Sequence, residues 1–414
     1  MKSNYYHKAL IVAAVGIFYS NLPGYLSNNH GWTTLEPKHW VLLFCLLTLP
    51  VLVTRMAAWN ALKSPVTIWC LGYAGLTVLW FFLSSQSETA WQEVRWRFLT
   101  ILEILVFLMI FWEPQATKVV RKTLVIAVLI GVALNFYDLF YPMSFSLVLG
   151  RSAGLYENPG MAGEALALGM IVSVTVLPPR YRGPFVLLSG LGILSTFSRA
   201  GILTWVIGVA GLILIRGISL KDLLRSCFLG FVLAVLIVVP RWDDLLTTWQ
   251  RTGVLNENVQ ERLEWFMDPS GVSDYSSWAR KYVARQAWEK IAERPFLGNG
   301  TGSSYDAAII PFPPHNQYLS FMLDHGLIGV MIVPLLILAV TWGACGEGRR
   351  VAIIFACATL TQSLFTHSIL NTSYSLILFS LMAATAAATG HREIKRTVVT
   401  DMKEGGTAQV LVRA

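Results

Sequence analysis

His315 stands at a boundary in the sequence, between a polar segment and a hydrophobic run that is long enough to cross a bilayer. The stretch Pro313–Gln317 places a titratable imidazole next to two amide side chains, where water meets hydrocarbon. A histidine in such a place can act as a general base at a membrane surface. It can also simply anchor the start of a helix, and its position alone favours that simpler role.

Three arginines can supply the positive charge that chemistry at this histidine would need. Arg151 opens a stretch with Gly and Pro, residues 151–160, that leads into a hydrophobic run. Arg199 sits in a tight turn between two hydrophobic runs, where a guanidinium must find an anion or reach the interface. Arg280 lies in the polar segment. A guanidinium is permanently charged and bidentate toward phosphate, so the set predicts a site for a phosphorylated substrate. The simpler alternative for each is a side chain that snorkels or forms a salt bridge.

The segment 274–294 has the pattern of an amphipathic helix that would carry Arg280. Its apolar face is predicted to consist of Trp278, Tyr282, Ala284, Ala287, Trp288 and Ile291. Arg285 has Glu289 one turn later as a partner, whereas no acid stands three or four residues from Arg280. Arg285 is therefore only a secondary candidate for the site.

Other polar residues have weaker claims to a role. Asn316 follows the histidine and supplies an amide, and His367 lies near the end of a hydrophobic run, where it could line the same cavity. Helical spacing puts Asp324 on the side of its helix away from the histidine, so it is a poor orienting partner. Glu103 and Asp138 are acids inside hydrophobic runs, which makes them functional candidates by default.

The composition is that of a membrane protein. The chain is 55% hydrophobic and 14% charged, whereas a soluble domain carries about 25% charged residues. The 15 tryptophans and 14 tyrosines suit the interfacial belts of a bilayer. The five cysteines lack the spacing of a metal site, and no nucleotide-binding glycine loop is present. We therefore expect neither a metal nor a cofactor.

Hydrophobic runs separated by charged breaks predict an all-α polytopic membrane protein with twelve spans. The predicted spans are 9–26, 39–57, 63–84, 98–113, 123–141, 161–177, 184–198, 201–217, 226–240, 316–342, 351–367 and 373–390. Lysine and arginine concentrate in alternate short loops, which predicts that both termini are cytoplasmic. This interpretation puts Arg97 in a short outer loop, and it accounts for the net charge of +8 without nucleic acid.

The same pattern divides the chain into four parts. Residues 1–240 hold spans one to nine, and 241–315 form a long periplasmic loop with amphipathic helical segments. Residues 316–390 hold spans ten to twelve, and 391–414 form a cytoplasmic tail. A loop of this length in a compact protein is usually functional.

These features resemble the O-antigen ligase family, within the wider group of O-antigen ligases, O-antigen polymerases and O-linked oligosaccharyltransferases. The resemblance covers most of the chain, through the number of spans, the long late loop and the position of both termini. Four degenerate motifs occur in the family's order: Arg151 with Gly154 and Asn158–Pro159; Ser198–Gly201; Arg280 with Pro295–Gly300; and His315–Asn316 with Leu319, Gly326 and Gly329.

The resemblance implies a GT-C-like membrane glycosyltransferase that moves a glycan from undecaprenyl diphosphate onto a sugar hydroxyl of lipid A–core. The reaction would take place at the periplasmic face of the bacterial inner membrane, without a metal or a nucleotide sugar, and with inversion of the anomeric configuration. The resemblance assigns the general base to His315 and diphosphate binding to Arg199 and Arg280, with Arg151 as a further ligand. The arginine-to-proline spacing of the third motif can be met from Arg280 or from Arg285.

Two alternatives stay open at the level of sequence. An O-antigen polymerase or an O-linked oligosaccharyltransferase would use related chemistry, although polymerases more often have two sizeable outer loops and this chain has one. A transporter or flippase of lipid-linked glycans would need positive sites open to both sides, and it often shows repeats with broken helices. The sequence shows no such repeat.

Overall fold

The computed structural model describes residues 2–29, 31–32, 36–156, 158–254, 256, 259–262, 264 and 275–403. Within these ranges the regular structure consists of helices joined by loops and short 3₁₀ turns. The longer helices are α1 Lys2–Ala13, α2 Leu22–Asn29, α3 Pro37–Thr54, α4 Pro65–Phe81, α5 Glu88–Phe111, α6 Pro114–Phe140, α7 Pro159–Ser173, α8 Pro179–Leu194, α9 Arg199–Leu214, α10 Leu220–Val238, α11 Trp242–Thr252, α12 Tyr275–Glu293, α13 Gln317–His325, α14 Ile332–Thr341, α15 Gly346–Gln362 and α16 Ser373–Lys403.

Several helices are long and apolar enough to cross a membrane. By length and composition, six in the described ranges qualify, or seven if the bent pair Tyr5–Tyr19 and Leu22–Asn29 is one span. Helices α4 and α9 are apolar but shorter. Each predicted span overlaps a helix of the structure. The protein is an all-helical, multi-pass membrane protein, and the number of twelve spans remains a prediction.

Helix α7 lies at the centre of the core. Every residue from Ala162 to Ser173 is buried, and α6, α8, α9 and α15 pack around the helix. Gly201 of α9 comes so close that a Cβ atom there would lie 2.9 Å from the Cα atom of Gly163. Small residues allow membrane helices this close approach. The beginnings of α7 and α9 are therefore held side by side.

The predicted span 316–342 is broken in the middle. A 3₁₀ segment, Gly326–Met331, separates α13 from α14. Gly326 has φ of +66°, and a Cβ atom there would lie 2.4 Å from the carbonyl carbon of Phe296. The Leu327 N–H donates to the Pro295 carbonyl oxygen at 2.8 Å. The Pro295–Gly300 motif and Gly326 thus form one packing unit, which gives these motif residues a structural role.

Arg97 lies inside α5 rather than in the predicted outer loop, and only 3% of its side chain is exposed. Its guanidinium pairs with the Asp324 carboxylate and lies 2.6 Å from the His325 Nε2 atom. Asp324 also accepts hydrogen bonds from the N–H groups of Gly302 (3.2 Å) and Ser304 (2.8 Å). Buried charges need such additional partners. This cluster fastens α5, α13 and the loop 300–305 together.

Helix α12 matches the helix predicted over 274–294, but its predicted apolar face is partly wrong. Val283, Ala287 and Ile291 are buried and pack with residues of α13. Trp278 and Tyr282 are exposed and stack on each other, with ring centroids 5.5 Å apart. The small and branched side chains are spaced by four residues, so they form the stripe that lets α12 lie close to α13.

Candidate functional site

One cavity of about 200 Å³ contains residues from all four sequence motifs. Its lining includes Arg151, Arg199, Arg262, Arg280, His315 and His367. Three of the arginines and both histidines were singled out by the sequence, although up to 216 positions separate them along the chain (from 151 to 367). The fold therefore brings the candidate base and the candidate phosphate ligands to one place.

Three helices begin at this cavity, namely α7, α9 and α13. Asn158, Ser198 and Asn316 cap them, since each side chain accepts a backbone N–H from the first turn, at 2.8, 3.2 and 3.0 Å respectively. Such caps define where a helix starts. The N-terminus of a helix carries a partial positive charge and presents N–H groups to anions. The caps in the sequence motifs thus place three positive helix ends around the cavity.

The loop that carries Arg151 is organised by Asp138. At the end of α6, the Asp138 carboxylate accepts hydrogen bonds from the N–H groups of Ser146 (3.1 Å) and Ala153 (2.9 Å). The Arg151 Nε–H donates to the Thr196 carbonyl oxygen at 3.0 Å. Asp138 therefore has a positioning role, because it holds the loop of Arg151 against the turn that precedes Arg199.

The electrostatic environment of Arg151 is strongly positive. Burial, together with the positive charges of Arg262, Arg280 and Arg199, lowers the pKa of Arg151 to about 9. Like charges disfavour each other's ionised form, so the four guanidiniums are close enough to interact. An anion in the cavity would offset this repulsion.

Arg262 is the member of this group that the sequence did not reveal. It lies in the polar segment 241–315 with several other arginines, for example Arg251 and Arg294. Neither its spacing nor its neighbours distinguish it from them. Only its place in the lining of the cavity distinguishes Arg262.

The rings of His315 and His367 contact each other in the lining of the cavity. His315 precedes α13, His367 follows the end of α15, and their ring centroids are 5.1 Å apart. Burial and the charge of Arg280 lower the pKa of His315. Burial and then the charge of His315 lower the pKa of His367 to about 4. Both imidazoles are therefore neutral near pH 7 and able to accept a proton.

Tyr305 holds the backbone of His367 in place. The Tyr305 hydroxyl donates to the His367 carbonyl oxygen at 3.2 Å, and the two rings lie 5.8 Å apart. Tyr305 ends the short turn Ser303–Tyr305, which Asp324 holds through the Ser304 N–H. The buried Arg97–Asp324 pair thus supports the wall of the cavity without lining it.

Glu164 is an acidic residue in the cavity wall that was not among the residues predicted from the sequence. Its Oε2 atom accepts a hydrogen bond from the Gln362 side-chain amide at 3.1 Å, and the Gln362 Oε1 atom accepts one from the Thr204 hydroxyl at 2.7 Å. Glu164 lies within the apolar helix α7, and an acid in such a helix is itself a signal of function. That signal could have identified it.

Two secondary candidates do not line the cavity. Arg285 is 83% exposed at its side chain and pairs with Glu289 at 3.2 Å, as its helical spacing predicts. Arg280 lines the cavity instead, so the structure distinguishes the two positions that the motif spacing left open. The side chain of Asn316 caps α13, which explains its place in the motif as the start of a helix.

Residues 184–333 match a family model described as O-Antigen ligase. This confirms the family resemblance found in the sequence. The matched stretch includes Arg199, Arg262, Arg280 and His315, whereas Arg151 and His367 lie outside it. It covers less than half of the chain. No curated protein matches the chain.

Proposed function

Since residues 184–333 match a family model described as O-Antigen ligase, we propose that this protein is an O-antigen ligase of the bacterial inner membrane. It transfers a glycan from undecaprenyl diphosphate to a sugar hydroxyl of lipid A–core, at the periplasmic face, with both termini in the cytoplasm. The observation that carries this proposal is the meeting of His315 with Arg151, Arg199 and Arg280 at one cavity.

The diphosphate of the donor suits the charge of this cavity. Its two phosphate groups are both anionic, and guanidiniums bind phosphate oxygens in pairs. Four arginines line the cavity, and Glu164 is the acid beside them. The positive ends of α7, α9 and α13 favour the same anion. The cavity can therefore hold a diphosphate without a metal ion or a phosphate-binding loop.

Transfer then needs a base and a place for the departing charge. A ring nitrogen of neutral His315 takes the proton of the acceptor hydroxyl, while the hydroxyl oxygen bonds to the anomeric carbon. The bond from that carbon to the diphosphate oxygen breaks, and its electrons stay on the leaving undecaprenyl diphosphate. The leaving group gains one negative charge, which the arginines stabilise. Attack from the side opposite the leaving group inverts the anomeric configuration.

The test is transfer by the purified protein from a defined lipid-linked donor to defined lipid A–core. Release of undecaprenyl diphosphate should require the acceptor and should continue in excess chelator. His315→Ala should bind the donor normally but lose about 10²–10⁴-fold in rate. Arg285→Ala, which changes an exposed arginine, serves as the control. Normal transfer by His315→Ala would remove the assignment of the base.

Transfer and leaflet-movement assays of the same purified protein separate the alternatives. Lengthening of the donor glycan itself, without lipid A–core, would identify a polymerase, and transfer to a protein hydroxyl would identify an oligosaccharyltransferase. Movement of intact donor between the leaflets of a vesicle, with no transfer, would identify a flippase. The location of Arg151, Arg199 and Arg280 at a single cavity favours chemistry over transport.

A further inference from the structure

A second site lies at the far end of the span that begins beside His315. The segment Gln317–Thr341 is long and apolar enough to cross a membrane, so Trp342, which follows it, lies a bilayer thickness away from His315. Between the middle of this segment, at Ile328, and its far end, at Trp342, helix α4 and the segment 328–342 line an apolar groove of about 640 Å³. Residues of the groove wall include Ile68, Trp69, Gly72, Met331 and Leu335.

The groove continues into a second hollow, here called the polar hollow, because Asn60, Lys63 and Ser64 are among its lining residues. This hollow has a volume of about 460 Å³ and shares Pro65, Ala339 and Trp342 with the groove. The groove itself is lined by apolar residues, and the polar hollow adds a lysine, a serine and an asparagine at its end.

Two features of the polar hollow point to a ligand. Ser64 is only 7% exposed, and its hydroxyl oxygen has no hydrogen-bond partner among the described residues. A buried polar group is normally paired. Lys63 is exposed and lines the same hollow. A ligand group that accepts a hydrogen bond and carries negative charge would satisfy both residues.

We propose that the groove and the hollow bind one anionic glycerophospholipid at the membrane face opposite the His315 cavity. An acyl chain lies along α4, and the phosphate accepts hydrogen bonds from Lys63 and the Ser64 hydroxyl. Trp112 and Trp342 line the polar hollow, and tryptophan is common at the level of lipid headgroups. This site requires neither the diphosphate nor the acceptor, so it is independent of the proposed transfer reaction.

The donor's own polyprenyl chain fits these observations less well. Its diphosphate would occupy the cavity of Arg199 and Arg280, across the bilayer, and would leave the Ser64 hydroxyl and Lys63 without an anion. An ordinary lipid on the protein surface would need only the apolar groove. The combination of an apolar groove with a charged and hydrogen-bonding end is what favours a phospholipid.

Gly72 offers a variant that fills the groove without disturbing the protein. A Cβ atom at Gly72 would meet no atom within 4 Å, and the residue lines the groove. Gly75 lies one turn later in α4, also has no atom within 4 Å of its Cβ position, and is outside the lining. Gly72→Leu and Gly75→Leu therefore make the same change in helix preference, but only the first obstructs the site.

The experiment is native mass spectrometry of the full-length protein, released from vesicles of equal phosphatidylglycerol and phosphatidylethanolamine. Wild type and Gly75→Leu should retain one phosphatidylglycerol molecule, and Gly72→Leu should retain at least about tenfold less. Lys63→Gln should keep a lipid but lose the preference for phosphatidylglycerol. A single peak in size-exclusion chromatography and cooperative thermal unfolding in detergent show that each variant is folded.

Three results would overturn the proposal. They are equal retention by Gly72→Leu, no preference for the anionic lipid in wild type, and a polyprenyl lipid as the retained species. If Gly72→Leu failed to fold, Lys63→Gln alone would decide, because an unchanged lipid preference in that variant removes the headgroup site.

Discussion

The rings of His315 and His367 lie edge to face, with their centroids 5.1 Å apart. His315 is the proposed base. The backbone carbonyl oxygen of His367 accepts a hydrogen bond from the Tyr305 hydroxyl. A proton on His315 lowers the pKa of His367, so the pair carries one proton more readily than two. In the proposed reaction, the pair would therefore take up the proton of the acceptor on one ring only.

The first prediction concerns pH. His315 acts as a base only when neutral, so transfer should fall as the pH drops through its pKa, which burial and Arg280 hold below the ordinary value of about 6.5. The rate should be flat near neutral pH. In Arg280→Gln a charge that disfavours imidazolium is gone, so the residual activity should begin to fall at a higher pH. Arg285→Gln should leave the midpoint unchanged, and equal midpoints in all three proteins would contradict the electrostatic link.

The second prediction concerns Arg262, which lies in the cavity with the arginines of the motifs. Loss of a hydrogen bond to a charged group costs about 1.5–3 kcal/mol, which corresponds to roughly tenfold to a hundredfold in Kd. Arg262→Ala should weaken donor binding by this amount, and Arg262→Lys should weaken it less. Arg251→Ala, an exposed arginine of the same segment, is the control. Donor titration by calorimetry measures the difference, and unchanged affinity would remove Arg262 from the site.

The third prediction concerns the contact between α7 and α9. A methyl group at Gly201 would lie 2.9 Å from the Gly163 Cα atom, so Gly201→Ala must push the helix ends apart. Overpacking of this kind costs about 1–3 kcal/mol. Gly72→Ala meets no neighbour and should be about 0.5–1 kcal/mol more stable, because alanine suits a helix better than glycine. Unfolding in detergent compares the two variants with wild type.

The fourth prediction concerns the buried pair of Arg97 and Asp324. Asp324→Asn removes the nearer of two acids beside the buried guanidinium and leaves only Glu93, at 3.7 Å. Breaking a buried pair costs about 3–5 kcal/mol. Arg97→Met combined with Asp324→Asn and Glu93→Gln should recover part of this stability, since none of the three charges remains. Additive losses in the triple variant would show that the residues act separately.

The sequence allowed several charged and polar residues of the cavity to be predicted, but it did not predict how the helices pack. His315 and Arg199 contrast with their hydrophobic surroundings, so each could be recognised locally. Arg262 has no such contrast, because other arginines surround it in the same polar segment. The break at Gly326 depends on its contact with Phe296, thirty residues earlier in the chain, and hydropathy along 316–342 carries no trace of it.

The buried face of α12 shows the same limit. The sequence predicted an apolar face that includes Trp278 and Tyr282, because these residues are one helical turn apart. The face of α12 that packs against α13 instead carries small and branched side chains, among them Val283 and Ala287. Which side of an amphipathic helix is buried depends on the shape of its neighbour, which a single sequence does not contain.

Several guanidiniums lie close to Arg151. The thermal stability of the protein should therefore report whether an anion is bound in their cavity. A ligand that binds only the folded state raises the unfolding temperature in proportion to the logarithm of its concentration above Kd. Here an anion would also remove repulsion that the folded chain otherwise bears. Inorganic pyrophosphate, the smallest compound with the donor's two joined phosphates, should therefore protect the protein from heat, and more strongly than single phosphate at equal ionic strength.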